Sequence, residues 1–207
     1  MLRPVLPCIL LLLGGCAYRA NPVPAPALSV YSSYGEKLPG RYALLVEGGE
    51  LSKSIRPTGL ACAAHTFPLD LSQSFATSVQ GTIANLVNAV QVVPSPLDRN
   101  QLRAGGYRAM IIVRGDSLEG KIVAVPGFWQ ATMSARVTIT AGISVDSTGG
   151  RLLGQSVEGS AESEASIGFA CSGGANAMGE AAEDAMKKTM ERLGEALTNS
   201  GRVRTAN

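Results

Sequence analysis

Residues 132–145 read TMSARVTITAGISV, and apolar and polar side chains alternate through the whole stretch. The apolar positions are Met133, Ala135, Val137, Ile139, Ala141, Ile143 and Val145. A period of two is typical of a β-strand with one face buried and the other in water. After a turn signal at 146–150, residues 153–162 alternate more weakly and predict a partner strand. Together these stretches predict an antiparallel meander.

Shorter apolar runs upstream predict further strands of the same sheet. The candidate strands are 41–47, 91–93, 108–114 and 121–125. Residues 116–120 between the last two runs begin with Asp116-Ser117, end in Gly120 and predict a turn. Residues 48–68 are rich in Gly, Ser and Pro and are therefore predicted to form a loop.

Two amphipathic helices complete the predicted fold. The first begins at Asp70, which with Gln73 resembles a capping box. Its apolar stripe is Leu71, Phe75, Val79, Ile83, Leu86 and Val90. The second covers 175–198, with an apolar face and an opposite face of acids followed by bases. We therefore predict an α+β fold, an antiparallel β-sheet (meander) with two amphipathic helices packed on one face.

The composition excludes several classes of protein. Of the 207 residues, 45% are hydrophobic and 16% are charged, with a formal net charge of +2. Disordered chains combine low hydrophobicity with high net charge, so this chain is expected to fold. No stretch reaches the roughly 18 apolar residues of a spanning helix, which excludes a polytopic membrane protein. The near balance of charges gives no reason to expect a nucleic-acid partner.

The N-terminus has the layout of a secretory signal, with one cation at Arg3 before an apolar run over residues 5–13. The run ends in Leu13-Gly14-Gly15-Cys16, which resembles the lipobox of bacterial lipoproteins. In a lipobox, small residues precede a Cys that is acylated and becomes the first residue after cleavage. The resemblance implies a signal peptide over 1–15 and a lipid on Cys16. The alternative is an ordinary cleaved signal followed by a chance Cys.

The rest of the chain divides into three predicted parts. Residues 16–40 contain alternate prolines, which favour an extended backbone and predict a tether between the lipid and the body. Residues 41–200 are predicted to form one α+β domain, since about 160 residues bury enough surface for a single core. Residues 201–207 are predicted to be a C-terminal tail.

Two of the four cysteines are left for the folded body. Cys8 belongs to the predicted leader and Cys16 takes the lipid, which leaves Cys62 and Cys171. An even pair in an oxidising compartment predicts one disulfide, and the alternative is two separate buried thiols. His65, the only histidine, lies close to Cys62, but no fourth ligand has recognisable spacing. We therefore predict no metal and no cofactor.

Catalytic motifs are weak. His65 is the single candidate base for a nucleophile, and no nucleophile motif surrounds it. Glu158, Glu162 and Glu164 have even spacing, which is typical of the wet face of a strand. We therefore expect no enzyme, with a cell-wall hydrolase that uses these acids or His65 as the alternative.

Two further features are candidates for binding. Gly173 and Gly174 stand at the predicted start of the last helix, where an anion could bind, although they also let the chain reach Cys62. Phe128 and Trp129 follow a predicted tight turn. Exposed aromatics at such a tip can enter a membrane interface or contact a partner, and the alternative is packing over the end of the sheet.

The lipobox, the Pro-rich segment and the single α+β body resemble the small outer-membrane lipoproteins of Gram-negative bacteria. Among them are the lipopolysaccharide-assembly lipoprotein and the auxiliary lipoproteins of ABC-type transport systems. Ala17 stands where an inner-membrane retention signal would have Asp. The resemblance implies anchoring at the periplasmic face of the outer membrane, with another envelope protein as the partner. It implies a scaffold or accessory role in an assembly or transport machine, with a lipid- or anion-binding module as a further alternative.

Overall fold

The computed structural model describes residues 17–20, 23, 25–27, 30–59 and 61–206. The predicted signal peptide and Cys16 lie outside these residues. The elements are, in chain order, β1 (Leu38–Glu47), β2 (Ser52–Ile55), β3 (Phe67–Asp70), α1 (Ser72–Leu86), β4 (Val87–Val92), α2 (Arg99–Ala104), β5 (Ala109–Val125), β6 (Thr132–Ser147), β7 (Gly150–Ser166), one turn of 3-10 helix (Phe169–Cys171), α3 (Gly173–Thr198) and α4 (Gly201–Thr205).

Five strands form the main sheet, in the order β4-β1-β5-β6-β7. β5, β6 and β7 pair antiparallel, which confirms the meander; Val137 on β6 lies between Gly120 on β5 and Ala161 on β7. β1, however, runs parallel to both β4 and β5. The prediction of a purely antiparallel sheet is therefore wrong. Parallel neighbours need crossover connections, and α1 and α2 lie in the two connections that lead into β4 and β5.

β5 is one strand of 17 residues where the sequence predicts two strands and a turn. Its pairing with β6 continues through the polar stretch, and one irregularity lies between Gly115 and Ser117. A bulge of this kind adds one residue to a strand without ending it. Asp116 occupies the irregularity, and its carboxylate accepts a hydrogen bond from Arg114 Nε at 2.7 Å. The polar residues therefore mark a bulge and not a turn.

The region predicted as a loop, 48–68, contains β2 and the start of β3, which form an antiparallel ribbon that pairs Ile55 with Phe67. The ribbon lies on β5. Leu51, just before β2, occupies the space that a side chain at Gly115 would need, and Ile55 does the same at Gly120. Glycine in a strand often marks such a close approach. Gly115 and Gly120, of which only Gly120 belongs to the predicted turn, thus make room for the ribbon.

α1 ends earlier and begins differently than the sequence predicts. The helix stops at Leu86, and Val90 of the apolar stripe belongs to β4. At the start, Asp70 accepts a hydrogen bond from the backbone N–H of Ser72 at 3.0 Å, but no capping box forms there. A capping box forms at α2 instead, where Asp98 is the N-cap. Val residues fit the pleated surface of a strand, which accounts for the early end of α1.

Four helices, and not two, surround the sheet in the described residues. α1 and α3 cover one face, as predicted. α2 lies on the opposite face, where Leu102 packs with Leu45 and Met110 in a small second core. α4 follows α3 within the predicted tail and buries Val203. On the opposite face, α2 therefore covers the part of the sheet formed by β1 and the start of β5.

The main core lies between the sheet and the two helices α1 and α3. The inward side chains of β6 are fully or almost fully buried from Met133 to Val145, as their alternation predicts. Phe75 on α1 and Met186 on α3 meet them with no exposed surface. Gly159 on β7 lets α3 approach closely, because a Cβ there would collide with the carbonyl oxygen of Ala185.

The described residues of 17–34, here named the N-terminal strap, lie along the helical layer and do not extend away from it. The backbone N–H groups of Ala25 and Ala27 donate hydrogen bonds to Ser78 and Thr82 of α1, at 2.9 and 3.0 Å. Further along, the N–H of Ser33 donates to the side chain of Asn199. Proline spacing predicts an extended segment, but its free N–H groups find acceptors on the helices. The strap therefore belongs to the body.

Candidate functional site

A disulfide joins Cys62 to Cys171, as the count of cysteines predicts, and their Cα atoms are 6.0 Å apart. It links the loop after β2 to the turn before α3 across 109 residues of chain. Cys62, Ala170 and Cys171 all have a positive φ. Such angles are uncommon for residues other than Gly, and both bonded cysteines adopt them here. The bond sits 3.9 Å from the sulfur of Met133, measured from Cys62 Sγ.

His65 lies three residues after Cys62, and its backbone N–H donates a hydrogen bond to the carbonyl of Cys62 at 3.0 Å. Its ring is 5.7 Å from that of Tyr18. The ring atom Nδ1 is buried and has no hydrogen-bond partner among the described residues. No group of three or more His, Cys, Asp or Glu within the described ranges could hold a metal ion. His65 is therefore a packed ring beside the disulfide.

Three aromatic side chains at the same end of the sheet are almost wholly exposed. Phe128 and Trp129, in the loop between β5 and β6, are 90% and 92% exposed, with rings edge to face at 4.7 Å. Phe169, in the 3-10 turn after β7, is 91% exposed. The two loops are joined by a hydrogen bond from Ile167 N to Ala131 O at 3.0 Å. Phe128 and Trp129 therefore do not pack over the sheet.

We name this region the disulfide end; it comprises the Cys62–Cys171 bond and the loops 126–131 and 167–172. The sequence did not predict a role for Phe169, because the glycines around it indicate a candidate anion site at the start of a helix. The signal that could have found it is its position two residues before Cys171. The Cα atoms of two bonded cysteines lie within about 7 Å of each other. The residues next to Cys171 in sequence, Phe169 among them, therefore lie close to the loop that contains Cys62.

The first described residues of the chain also lie at the disulfide end. Tyr18 N donates to Thr66 O at 3.1 Å, and Ala17 forms a parallel bridge with the same residue. Two residues later Ala20 N donates to Pro68 O at 3.3 Å. The strap thus begins beside the disulfide and then runs along β3. Cys16 itself, the predicted lipid site, lies outside the described residues.

The predicted acids of β7 are spread along an exposed surface. Glu158, Glu162 and Glu164 are all exposed, at alternate positions of the strand. Glu162 binds Arg136 of β6 at 2.7 Å and accepts a further hydrogen bond from Ser134 at 3.0 Å. The guanidinium of Arg136 and then the Ser134 hydroxyl lower the pKa of Glu162 below its ordinary value. Glu162 is thus held as a carboxylate within the strand pair.

The glycine-rich entry to α3 uses several of its backbone donors internally. Ser172 N donates to Phe169 O at 3.1 Å, and Ala175 N donates to Ser172 O at 3.1 Å. Gly173 N donates to Ile167 O at 3.0 Å. An anion site at a helix start needs free N–H groups. These three donors already have partners, so they are not available to an anion in this arrangement.

A groove of about 550 Å³ opens on the sheet face that carries α2. Leu45 and Ile112 form its apolar side, and Arg114 of β5 and Arg151 of β7 line it from the two strands that flank β6. Each arginine has a carboxylate partner: Asp116 at 2.7 Å from Arg114, and Asp146 at 2.9 Å from Arg151. The hydrogen bonds to Asp116 and Asp146 raise the pKa values of the two guanidinium groups above their ordinary value. The groove is polar and nearly neutral.

No protein-family model matches the sequence, and neither does any curated protein. Solved structures do resemble it. Protein XCC0632 from Xanthomonas campestris, described under the family model DUF330, has 11% identity and a TM-score of 0.48 over 86% of this chain and 92% of its own.

Two further solved structures are similar at the same level. The hypothetical protein CT253 from Chlamydia trachomatis has 11% identity, a TM-score of 0.40 and coverage of 81% and 99%. A putative neuraminyllactose-binding hemagglutinin homolog from Helicobacter pylori has 9% identity, a TM-score of 0.45 and coverage of 82% and 90%. The functional assignment therefore rests on the residues of this chain itself.

Proposed function

We propose that this chain is a non-enzymatic lipoprotein of the bacterial envelope, anchored through acylated Cys16 at the periplasmic face of the outer membrane. In this proposal it serves as a scaffold or accessory partner of an assembly or transport machine. The observation that carries the proposal is Leu13-Gly14-Gly15-Cys16, placed directly after a short apolar run. Two or more acyl chains on one residue give stable membrane attachment without a spanning helix.

Two properties of the described residues support an exported, anchored protein. The Cys62–Cys171 disulfide suits an oxidising compartment, because such bonds are rare where thiols are kept reduced. In addition, none of the described helices combines the length and the apolar character needed to cross a membrane.

The non-enzymatic part of the proposal is supported by the surroundings of the candidate groups. A nucleophile or base acts through a hydrogen bond to its partner. Within the described residues, His65 Nδ1 has no such partner, and Glu162 is taken up by Arg136. A cell-wall hydrolase would instead need a base and an acid that converge on one cleft.

Acylation is tested by growth with radioactive palmitate, followed by recovery of the protein. We expect label on the wild type and none on Cys16→Ser. Cys8→Ser is the matched control, because it removes the other cysteine before the predicted cleavage site and keeps the lipobox intact. Label on the wild type and on Cys8→Ser alone supports the anchor. Equal labelling of wild type and Cys16→Ser would refute it.

Sorting to the outer membrane has its own test. Ala17 follows Cys16 where retention in the inner membrane would use Asp. Separation of the two membranes on a density gradient should place the wild type with the outer membrane and Ala17→Asp with the inner membrane. Ala17→Ser is the control and should stay in the outer membrane. The same distribution for all three proteins would contradict the proposed address.

The accessory role predicts a partner protein in the envelope. Crosslinking in intact cells, followed by recovery of this chain, should yield a component of a membrane assembly or transport machine. Cys16→Ser should lose that product, because an unanchored protein leaves the membrane surface. A product that is equally abundant with Cys16→Ser would show that the partnership does not depend on the anchor.

A further inference from the structure

The strap fixes the direction in which the chain leaves the body toward Cys16. Its bridges to Thr66 and Leu69 run parallel to β3, with Ala17 at the Thr66 side. Going back along the chain from Ala20 to Ala17 therefore leads toward the disulfide end. Because Tyr18 N is bonded to Thr66 O, only Ala17 separates Cys16 from a residue held by the body. Two extended residues span at most about 7 Å.

The exposed aromatic rings project from that same end. Thr132 pairs with Val125 on the neighbouring strand and with Ser166 on the other side, which places the loops 126–131 and 167–172 side by side. Phe128 lies three residues beyond the Val125–Thr132 pair, at most about 10 Å further along the strand direction. A lipid on Cys16 would therefore bring these rings to the membrane surface.

The disulfide end is also depleted of charge. Three segments meet there, 57–69, 122–135 and 165–179, and they contain no Asp, Glu, Lys or Arg. The opposite end of the sheet has charged side chains that bind backbone or each other. The side chains of Arg108, Arg202 and Arg204 donate hydrogen bonds to backbone carbonyls there. Arg151 and Asp146 form an ion pair.

From these three observations we infer that the disulfide end faces the lipid bilayer, with Phe128, Trp129 and Phe169 inserted into its interface. This inference rests on the proposed anchoring through Cys16. Aromatic rings, and Trp above all, favour the headgroup level of a membrane, where one part of the ring is apolar and the rest is wet. The three segments have no ionic groups to bring close to the acyl chains, and the strap adds one cation beside them, Arg19. The body then stands on the membrane by one end, with no free spacer.

Trp129 is the only tryptophan, so its fluorescence reports directly on this contact. The acylated wild type is reconstituted in vesicles of phosphatidylethanolamine and phosphatidylglycerol, with or without bromine on the acyl chains. We expect emission to shift to shorter wavelength on reconstitution and to lose intensity in the brominated vesicles. Two variants move the probe: Trp129→Phe with Phe169→Trp, and Trp129→Phe with Tyr31→Trp.

The second variant is the matched control, because Tyr31 is 80% exposed and lies at the other end, where its carbonyl accepts from Asn199. Quenching at positions 129 and 169 but not at 31 supports the inference. Equal quenching at all three overturns it, because the body would then lie flat. Unquenched Trp129 in a sample whose Cys16 is acylated by mass spectrometry overturns the inference alone. A bare sulfur on Cys16 overturns the anchor on which it rests.

Discussion

The backbone N–H of Ala27 donates a hydrogen bond to Oγ1 of Thr82 at 3.0 Å, in a fully buried position. This contact joins the strap to the middle of the helical layer. Four residues earlier on α1, Ser78 accepts from Ala25 in the same way. Buried N–H groups need acceptors, so the spacing of these two hydroxyls along one helix face holds the extended strap in place.

Replacement of Thr82 by Val should loosen the strap. The substitution keeps the shape of the side chain but removes the acceptor, which leaves the Ala27 N–H buried without a partner. A loss of about 1–3 kcal/mol in the free energy of unfolding is expected. Urea denaturation measures it, and Thr82→Ser should retain most of the stability. Thr77→Val is the control on the exposed face of α1 and should change stability by less than about 0.5 kcal/mol. Equal effects at 77 and 82 would contradict the role of this bond.

The disulfide should contribute a large share of the stability. A loop of 109 residues corresponds to about 4–5 kcal/mol in the chain-entropy model, and measured losses for native bonds are about 2–5 kcal/mol. The double variant Cys62→Ser, Cys171→Ser should unfold at a lower urea concentration than the oxidised wild type. Reductant should lower the midpoint of the wild type and leave that of the variant unchanged. A wild-type midpoint that does not respond to reductant would show that the bond contributes little.

Two glycines provide a matched test of the packing of α3 on the sheet. A Cβ on Gly159 would collide with Ala185 O and the hydroxyl of Thr189, whereas one on Gly179 meets nothing within 4 Å. Gly159→Ala should therefore cost about 1–3 kcal/mol, because backbone has to move. Gly179→Ala should gain up to about 1 kcal/mol from helix propensity. Thermal unfolding compares the two, and a loss of stability for both would mean that the close approach at Gly159 is not the cause.

The alternation over 132–145 predicted β6 correctly because burial on one face repeats every second residue, and the structure has that pattern. The parallel strands were not predictable in this way. Short apolar runs occur in both parallel and antiparallel strands, and the sequence of β1 does not indicate in which direction its neighbours run. Their arrangement follows from crossovers that pass on opposite faces of the sheet. Local sequence does not specify these paths.

The differences between expectation and structure at β5 and at the strap have a common physical cause. The predicted turn at 116–120 and the predicted tether both follow from local backbone preferences, those of Gly120 and of the prolines. In the structure Gly120 makes room for the side chain of Ile55, and the strap donates its N–H groups to α1. Both features depend on residues distant in sequence. The disulfide was predictable because its evidence was a count of cysteines and a compartment, not a local preference.

Glu162 should titrate below the ordinary range of a carboxyl group. The hydrogen bonds from Arg136 and Ser134 stabilise its charged form, which lowers the pKa in the folded state. NMR of the side-chain carboxyl carbon during an acid titration measures this pKa. In Arg136→Gln the pKa of Glu162 should rise toward its ordinary value. Arg151→Gln removes a cation that binds Asp146 instead, and should leave the Glu162 curve unchanged.

The sign of the effect on stability follows from the lowered pKa. The unfolded chain binds a proton to Glu162 at a higher pH than the folded chain does. The pair with Arg136 therefore stabilises the fold above the ordinary pKa of glutamate, and this contribution is lost as the pH falls through the lowered folded value. The difference in unfolding free energy between wild type and Arg136→Gln should be small at neutral pH, because the pair is exposed, and should vanish in acid. A difference that persists below the folded pKa would assign the effect of Arg136 to packing and not to charge.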